Sequence, residues 1–287
     1  MKVLFSFIKD AAQSITKGGR SYYTWLSVLT AFILIAIYYY TKQLDEGLAI
    51  TGMHDHVSWG LYISNFTFLV GLAAAAVMLV LPTYILKDSD FKAAVLIGEG
   101  VAVAALIMCL LFVTVDMGRP DRLWHMMTPS FNFPDSLLTW DVIVLNGYLM
   151  LNMFIPFYIL FKHYKGETPE PKKYLPFVIL SVFWAVGIHT VTAFLYAGLK
   201  SRPFWNTSIL GVRFLASAFC AGPAFIVLVL ALIKKHTEYT IKDLTIDKLG
   251  FIITVAAQIN LFLLGSEIFK EFYTDSAHTI SAKYLFF

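Results

Sequence analysis

Cysteine and charged residues are scarce in this chain. Its 287 residues include two cysteines and 14% charged residues, against about a quarter charged in an ordinary soluble domain. This composition excludes a soluble globular protein. Because Cys109 and Cys220 both fall inside apolar segments, they cannot supply a disulfide framework or the ligands of an iron–sulfur cluster by themselves. Any iron–sulfur centre is therefore expected in a partner protein.

Signatures of metal, haem and nucleotide chemistry are also missing. Membrane haem b usually needs two axial histidines in facing helices, and only His189 lies inside an apolar segment. The sequence contains no Walker loop, nucleophile elbow or HExxH motif. A net charge of +3 without a basic patch gives no indication of nucleic acid. We expect no metal site in this chain and no nucleic-acid partner.

Apolar residues are abundant instead, at 58% of the chain, with a mean hydropathy of +0.70. They form blocks of about twenty residues, the length an α-helix needs to cross a hydrocarbon core of roughly 30 Å. The predicted fold is an all-α polytopic membrane bundle, a single integral membrane domain over residues 1–287. Seven spans are predicted, at 22–40, 58–86, 93–115, 140–161, 174–199, 208–233 and 249–272. Residues 283–287 are interpreted as the opening turn of an eighth span, so the domain is expected to continue.

The distribution of lysine and arginine predicts the orientation. Fourteen of the 22 lie on the side of the N-terminus, which is therefore predicted to face the cytoplasm. The predicted location is the cytoplasmic (inner) membrane, which the chain crosses several times. About twenty polar and charged residues precede the first span, which is interpreted as a retained anchor rather than a signal peptide. The connection 116–139 then lies outside, and a structureless connection of this length is more often functional than a short link. Trp59 and Trp205 fit an interfacial aromatic belt.

Ionisable and amide side chains inside the spans are the candidate functional groups, since each costs several kcal/mol in hydrocarbon unless it is paired. A helical rise of about 1.5 Å per residue places most of them in the outer half of the membrane, which indicates one polar chamber. These residues are Asn65, Asp141, Asn146, His189, Arg213 and Glu267. Glu99 lies about 10 Å from the cytoplasmic side, and both a proton carrier and a neutral carboxyl bonded to a neighbouring helix fit it. Interhelical hydrogen bonds are the favoured interpretation of Ser181, Thr192, Ser217 and Asn152.

Three segments carry a resemblance to a known family: EGLAITGMHDHVSWGLYISNFTFLVG at 46–71, DMGRPDRLWHMMTPSFNFPDSLLTWDVIVLNGYL at 116–149 and IHTVTAFLYAGLKSRPFWNTSILGVRFLASAF at 188–219. Over about a third of the chain, the sequence resembles membrane subunits of the NrfD/polysulfide-reductase type, above all the DsrP and HmeB branch. The resemblance implies two four-helix bundles, often with an extra span at each end, and a quinone site near the outer face. It also implies a periplasmic ferredoxin-like iron–sulfur subunit as partner, with a multihaem cytochrome c and a second membrane subunit as further candidates.

On this resemblance, we expect menaquinone in the outer chamber of a menaquinol:acceptor oxidoreductase complex, with iron–sulfur clusters and haem only in partner subunits. His189 would exchange protons with the quinone oxygen, Asp141 would orient or recharge it, and Arg213 would balance Asp116 or Asp141. The expected quinone-binding residues are Asn65, Asp116, Arg119, Tyr148 and Arg213, with the loop around Arg119 roofing the site and docking the partner. The candidate proton path consists of Glu99, Asn152 and Glu267.

Two other functions fit the same residues. A proton-coupled secondary transporter also buries His, Asp and Glu side chains, although neither an internal repeat nor paired Gly/Pro-broken spans are visible. A structural membrane anchor without quinone chemistry is the third alternative, and it predicts that His189→Ala leaves quinone chemistry intact. The direction of electron flow, the quinone species and proton pumping stay open at this point.

Overall fold

The computed structural model describes residues 2–55, 57–128, 133–274 and 278–287. These residues form nine α-helices: α1 (Lys2–Thr16), α2 (Arg20–Glu46), α3 (Leu61–Val80), α4 (Lys92–Asp116), α5 (Leu137–Tyr164), α6 (Pro171–Ala197), α7 (Leu210–His236), α8 (Asp243–Tyr273) and α9 (Thr279–Phe286). Short 3₁₀ helices occupy three of the connections, and a π-helical turn, Leu81–Ile85, extends α3 around Pro82.

Helices α2 to α8 are long and apolar enough to cross a membrane. The seven predicted spans and the all-α fold class are therefore confirmed for the described residues. Several helices run further than the predicted spans; α8 starts at Asp243 instead of residue 249, and α2 ends at Glu46 instead of residue 40. Hydropathy stops at the first charged residues, whereas a helix continues while its long charged side chains extend towards water.

Two segments that the sequence analysis did not assign to helices contain them. Residues 2–16 form α1, in which Leu4, Ile8 and Ile15 fall on one face, so the segment is amphipathic rather than simply polar. In the third connection, Pro120–Met127 forms a 3₁₀ helix with proline at its first turn, where the missing N–H costs nothing. Residues 129–132 of that connection lie outside the described part of the chain.

Helices α3 to α6 form a four-helix bundle, in which α4 and α6 each pack against both α3 and α5. Helix α7 packs across α3 and α6, and α8 packs on α7. Large apolar side chains fill the bundle, and Phe66, Leu106, Leu145 and Ile188 are fully buried there. The two further spans thus lie on the side of the bundle formed by α3 and α6, and α4 and α5 form the opposite side.

Helix α2 lies at the periphery of the molecule. Its only buried side chain among the described residues is Gln43, near its end. The Gln43 Nε2 atom donates to the Val115 carbonyl at 2.6 Å, and its Oε1 atom accepts from the Tyr62 hydroxyl at 2.8 Å. These two hydrogen bonds attach the end of α2 to α3 and α4 while the apolar remainder faces outward, as expected for a helix surrounded by lipid.

The contact between α3 and α7 is made by small residues. A Cβ atom added to Gly222 would lie 2.8 Å from the Ala75 backbone nitrogen and 3.2 Å from its Cα atom. Ala73 and Ala76 extend the small-residue run of α3 on either side. Small residues allow backbones in membranes to approach closely, so van der Waals packing replaces the missing hydrophobic driving force. This contact fixes α7 against α3 below the segment that carries Arg213.

We call the end of the bundle with connections 47–60, 117–136 and 198–209 the outer end, following the predicted orientation, and the opposite end the inner end. At the inner end, Asp90 accepts from the ammonium groups of Lys242 at 2.7 Å and Lys248 at 2.9 Å. Lys248 also contacts Asp88 and holds the pKa of that carboxyl below its usual range. These ion pairs attach the start of α8 to the connection between α3 and α4.

Candidate functional site

Two neighbouring cavities lie between α3, α6 and α7 towards the outer end. The larger has a volume of about 410 Å³ and the smaller about 280 Å³. Both are lined by Ser64, Thr67 and Phe214, so one wall serves both cavities. Together they provide the concave, mostly apolar space with a few convergent polar groups that small-molecule sites require.

Aromatic rings form much of the larger cavity. Trp59 and Trp205 lie nearly parallel, with ring centroids 6.2 Å apart and an interplanar angle of 23°, and Tyr196 meets each of them edge-on at 5.3 Å. The Tyr196 hydroxyl forms a hydrogen bond with the Thr67 hydroxyl, which holds the ring in place. Because aromatic rings prefer offset and edge-to-face contacts, this cluster favours binding of a flat, apolar ligand ring.

His189 lines the smaller cavity. Its side chain is 1% exposed, and its Nδ1 atom donates to the Ala185 carbonyl at 2.6 Å, one turn earlier in α6. That bond assigns the proton of the neutral ring to Nδ1 and leaves Nε2 as an acceptor. Among the described residues, Nε2 has no hydrogen-bond partner of good geometry, although the Val70 backbone lies near the ring. An acceptor buried beside an empty volume is the strongest chemical feature of the site, because such atoms are nearly always paired.

Arg213 lines the larger cavity and pairs with Glu267 of α8. The sequence analysis expected Arg213 to balance Asp116 or Asp141, and that expectation is wrong. Helix α8 packs directly on α7, and the carboxylate that Arg213 contacts is Glu267 of α8. The Glu267 side chain is 1% exposed and that of Arg213 is 19% exposed. Arg213 Nε and Glu267 Oε1 lack hydrogen-bond partners within the described part of the chain, so the pair retains a donor and an acceptor for a further group.

Asp141 lies away from both cavities, inside the four-helix bundle. It is 1% exposed and accepts a hydrogen bond from the Thr192 hydroxyl at 2.6 Å. It does not hydrogen-bond to His189, whose orientation is set by Ala185 instead. Asp141 therefore does not make the orienting contact with His189 that the sequence suggested, and Thr192, interpreted as an interhelical hydrogen-bond partner, is its partner on α6.

The other polar candidates of the spans, one of them the expected binding residue Tyr148, also lie outside the cavity walls. The side-chain amides of Asn65 and Asn146 donate to carbonyls of their own helices, at 2.8 Å each. Tyr148 is 1% exposed in the bundle core, where its hydroxyl lies 3.5 Å from the Ala73 carbonyl. Asn152 donates to the Tyr148 carbonyl at 2.8 Å.

At the outer surface, Asp116 and Arg119 are separate from each other. Asp116 is half-buried at the end of α4, and its Oδ1 atom has no hydrogen-bond partner in the described ranges. Arg119 is exposed and pairs with Asp121 through two 3.0 Å contacts. The Arg119 guanidinium holds the pKa of Asp121 below its usual range. Both stay predicted contributors to the site, now placed at its outer rim or surface.

Glu99 occupies the opposite end of the bundle, as its depth in the sequence predicted. Its carboxyl is 1% exposed, and neither oxygen has a hydrogen-bond partner within the described residues. Tyr84 and Tyr148 lie close enough to interact with it electrostatically. A Cβ atom on the neighbouring Gly98 would overlap Leu79, so α3 packs tightly here. Glu99 is thus surrounded by tightly packed side chains and lines neither of the two cavities.

Sequence reasoning missed part of the site. Trp59 and Trp205 were assigned to the interfacial belt, yet they form a cavity wall together with Tyr196. Glu271, one turn beyond Glu267 in α8, is also almost fully buried, with an unpaired Oε2 atom among the described groups. The spacing of four between these two glutamates was the available signal. The aromatic cluster had none, because its rings come from three separate segments.

Metal-ligand types do not cluster in the part of the chain that the structure describes. Cys109 and Cys220 are both free thiols, the former buried in the bundle. The polar groups that converge on the cavities are an imidazole, a guanidinium paired with a carboxylate, and hydroxyl groups. Such a set suits a neutral polar ligand with carbonyl or hydroxyl oxygens better than a cation.

Comparison with known proteins places the chain in a family. The family described as "Polysulphide reductase, NrfD" matches residues 49–287. The chain belongs to the NrfD family. It is a multi-pass membrane protein, and the match includes every residue that lines the two cavities.

Curated NrfD relatives include membrane proteins from several organisms. The chain is 24% identical to a selenate reductase subunit of Mesobacillus selenatarsenatis, over 90% of this chain and 67% of that protein. It is 22% identical to the Hdr-like menaquinol oxidoreductase integral membrane subunit of Archaeoglobus fulgidus, over 93% of this chain and 65% of that protein. It is 23% identical to the menaquinone reductase integral membrane subunit of Nitratidesulfovibrio vulgaris, over 74% and 54% respectively. The chain thus spans between 54% and 67% of the length of these relatives.

Proposed function

We propose that this chain is the quinone-interacting membrane subunit of a respiratory redox complex, and that it exchanges electrons between menaquinone or menaquinol and a periplasmic iron–sulfur subunit. One observation carries the proposal: His189, whose buried Nε2 atom has no hydrogen-bond partner among the described residues, lines a cavity that shares a wall with a second, aromatic cavity lined by Arg213. The names of the Archaeoglobus and Nitratidesulfovibrio relatives, which mention menaquinol and menaquinone, support the choice of ligand.

The residues present fit a quinone headgroup. A bound quinone supplies a two-electron, two-proton redox couple with two carbonyl oxygens on a flat ring. Trp59 and Trp205 offer parallel faces that exclude water and orient such a ring. Neutral His189 accepts a proton at Nε2 from a hydroxyl oxygen, and protonated His189 returns it, so one side chain serves both directions.

Arg213 holds the polar side of the site. Its guanidinium donates to oxygen atoms in the larger cavity while Glu267 balances its charge. The Thr67 and Tyr196 hydroxyls provide a further hydrogen-bonding edge. In this proposal Asp141 acts at a distance, as a buried carboxyl in the bundle that recharges the site with protons, and Glu99, Asn152 and Glu267 stay members of a proton path.

The orientation and the partners follow from the same proposal. With the N-terminus in the cytoplasm, the cavities open towards the periplasmic side of the inner membrane. The connection 117–136, with its exposed Arg119–Asp121 pair, then offers a polar surface to a ferredoxin-like iron–sulfur subunit. A multihaem cytochrome c and a second membrane subunit are further proposed partners, and they hold the haem and clusters for which the described part of this chain offers no ligand set.

Quenching of a fluorescent quinol analogue by the purified protein tests the proposal. Saturable quenching is expected with wild type. His189→Ala should weaken binding of the quinol analogue about tenfold, because the hydrogen bond between His189 and a quinol oxygen is lost. His163→Ala, which removes an exposed histidine at the inner end, is the matched control and should bind like wild type. Absence of saturable quenching by folded wild-type protein would favour the transporter or anchor alternatives.

A further inference from the structure

Helix α1 is an amphipathic helix outside the family match, which begins at residue 49. None of its side chains is buried, and only Phe7 is half-buried. Leu4, Ile8 and Ile15 share one face and are exposed by 38%, 53% and 71%. Such a continuous apolar stripe on a helix with a charged opposite face is the pattern of a helix that lies in a membrane interface.

Contacts with α5 place α1 at the inner end of the bundle. The Phe7 ring meets the rings of Phe157, Phe161 and Tyr164 at centroid distances of 5.2 to 5.6 Å. The Tyr164 hydroxyl donates to the Asp10 carboxylate at 2.6 Å. These rings belong to the last two turns of α5, so α1 lies level with the end of a membrane span.

The junction between α1 and α2 ends the first helix before the second begins. The Tyr22 hydroxyl donates to the Ile15 carbonyl at 2.7 Å, and the Tyr23 hydroxyl donates to the Thr16 carbonyl at 2.5 Å. These bonds satisfy carbonyls that the end of α1 leaves free. A Cβ atom on Gly18 would overlap the Tyr22 ring, so the glycine is needed for this closure. Helix α1 is therefore a separate element, not an extension of the span.

The polar face of α1 is positively charged. The polar face carries Lys2 and Lys9, and Lys17 is the first residue after the helix. None of the three forms an ion pair with another described residue. Its one acidic residue, Asp10, is engaged by Tyr164. Three ammonium groups beside an apolar stripe are complementary to a membrane surface that contains anionic phospholipids. The apolar side chains insert among the acyl chains, and the ammonium groups attract the lipid phosphates.

We propose that α1 binds anionic phospholipid at the inner surface of the membrane, with Leu4, Ile8 and Ile15 inserted at the acyl boundary and Lys2, Lys9 and Lys17 on the headgroups. This interfacial anchor fixes the approach of α2, which otherwise contacts the bundle near Gln43. The proposal is independent of quinone binding, because α1 lies at the opposite end from the two cavities.

Spin labels on the two faces of α1 test this proposal. Full-length Ile8→Cys and Gln13→Cys proteins, both with Cys109→Ala and Cys220→Ala, are labelled and placed in bilayers of phosphatidylcholine and phosphatidylglycerol. The label at 8 should collide with oxygen and be shielded from a water-soluble nickel complex, and the label at 13 should show the reverse. Equal exposure of both labels to nickel, or protection of both from both reagents, would overturn the proposal, the second result because it indicates a protein partner.

Charge removal tests the lipid preference separately. Each of Lys2→Gln, Lys9→Gln and Lys17→Gln should lower the equilibrium constant between the inserted and the detached state of α1 about five-fold in phosphatidylglycerol-containing bilayers. Lys172→Gln together with Lys235→Gln removes exposed lysines at the same end of the molecule and should leave the label at 8 unchanged. An inserted state that is identical in pure phosphatidylcholine and insensitive to all three α1 substitutions would contradict binding of anionic lipid.

Discussion

The two ends of the bundle treat buried polar groups differently. At the outer end, His189 and Arg213 face cavities with hydrogen-bonding capacity left over. At the inner end, Glu99 is just as buried, but it is surrounded by packed side chains, and the surface charges of Asp90 and Lys242 are paired. Burial alone therefore does not distinguish a binding group from an enclosed one.

The adjoining volume makes the difference. A polar atom beside an empty space can exchange hydrogen bonds with a ligand, whereas the same atom in a packed environment can only change its protonation or be replaced. Substitutions at the outer end should thus alter ligand binding, and those at the inner end should alter stability or proton transfer without altering the affinity for quinone.

Arg213→Leu should have the largest effect, because it leaves the buried Glu267 carboxylate without its partner. We expect a loss of about 3 kcal/mol in the free energy of unfolding, measured by reversible titration with a denaturing detergent, together with loss of quinol binding. Adding Glu267→Leu should restore most of the stability but not the binding. Arg119→Leu breaks an exposed pair and should leave the free energy of unfolding unchanged; a similar loss of stability in both arginine variants would contradict the distinction.

Gly222→Ala should disturb the outer cavities through the backbone contact of α7 with α3. Its Cβ atom would lie 2.8 Å from the Ala75 nitrogen, so the helices must separate. Overpacking of this kind costs about 1 to 3 kcal/mol, and the affinity for the quinol analogue should fall with it. Gly250→Ala in α8, where a Cβ atom meets nothing within 4 Å, is the control. Equal thermal midpoints for both variants would show that this contact does not hold α7.

Glu99→Gln should separate proton transfer from binding. The amide is nearly isosteric and removes a titratable group that has no hydrogen-bond partner in the described part of the chain, so stability should stay the same or rise by about 1 kcal/mol. Quenching by the quinol analogue should be unchanged, while proton uptake coupled to turnover of the assembled complex should fall if Glu99 carries protons. Weaker quinol binding in this variant would mean that the inner end reaches the ligand.

The smallest effect concerns pH at the exposed inner connection. Lys162 and Lys165 hold the pKa of Glu167 at about 2, below the ordinary 4.5. A lowered pKa in the folded state means that the stabilisation is complete above pH 4.5 and is lost as the pH falls from there through 2. Amide exchange of residues 162–170, corrected for intrinsic rates, should speed up slightly in that window, and Glu167→Gln should abolish the pH dependence. A pH dependence that persists in the variant would assign it to another group.

The membrane spans could be predicted from the sequence, but the side of each helix that faces its neighbours could not. Apolar blocks of about twenty residues fixed the number of helices, since only such segments cross a bilayer. Helix α1 escaped because averaging hydropathy hides an amphipathic period. Asn65 was predicted to contact the quinone, whereas its neighbours Ser64 and Thr67 line the cavities, for a related reason: residues one or two positions apart point in different directions, and a single sequence does not reveal which direction faces a neighbouring helix.

His189 and Arg213 were found because ionisable groups in a span are rare and costly. The pairing of Arg213 with Glu267 was not foreseen, since it depends on α8 packing against α7 rather than on any local pattern. The hydrogen bonds of Asp141 to Thr192 and of His189 to Ala185, and not to each other, likewise depend on how α5 and α6 pack together. Cavities are formed by the arrangement of several helices, so their walls are a property of the fold.

Photoaffinity labelling with an azidoquinone tests the central claim most directly, because it reports position as well as binding. If the outer cavities hold the headgroup, covalent label should appear in the peptides that carry Trp59 to Gly71 and Trp205 to Ser217, and excess unlabelled quinone should suppress it. The His189→Ala protein should take up markedly less label in both peptides. Label that is displaced by quinone but concentrates around Tyr84 and Glu99 would contradict the account and place the quinone at the inner end.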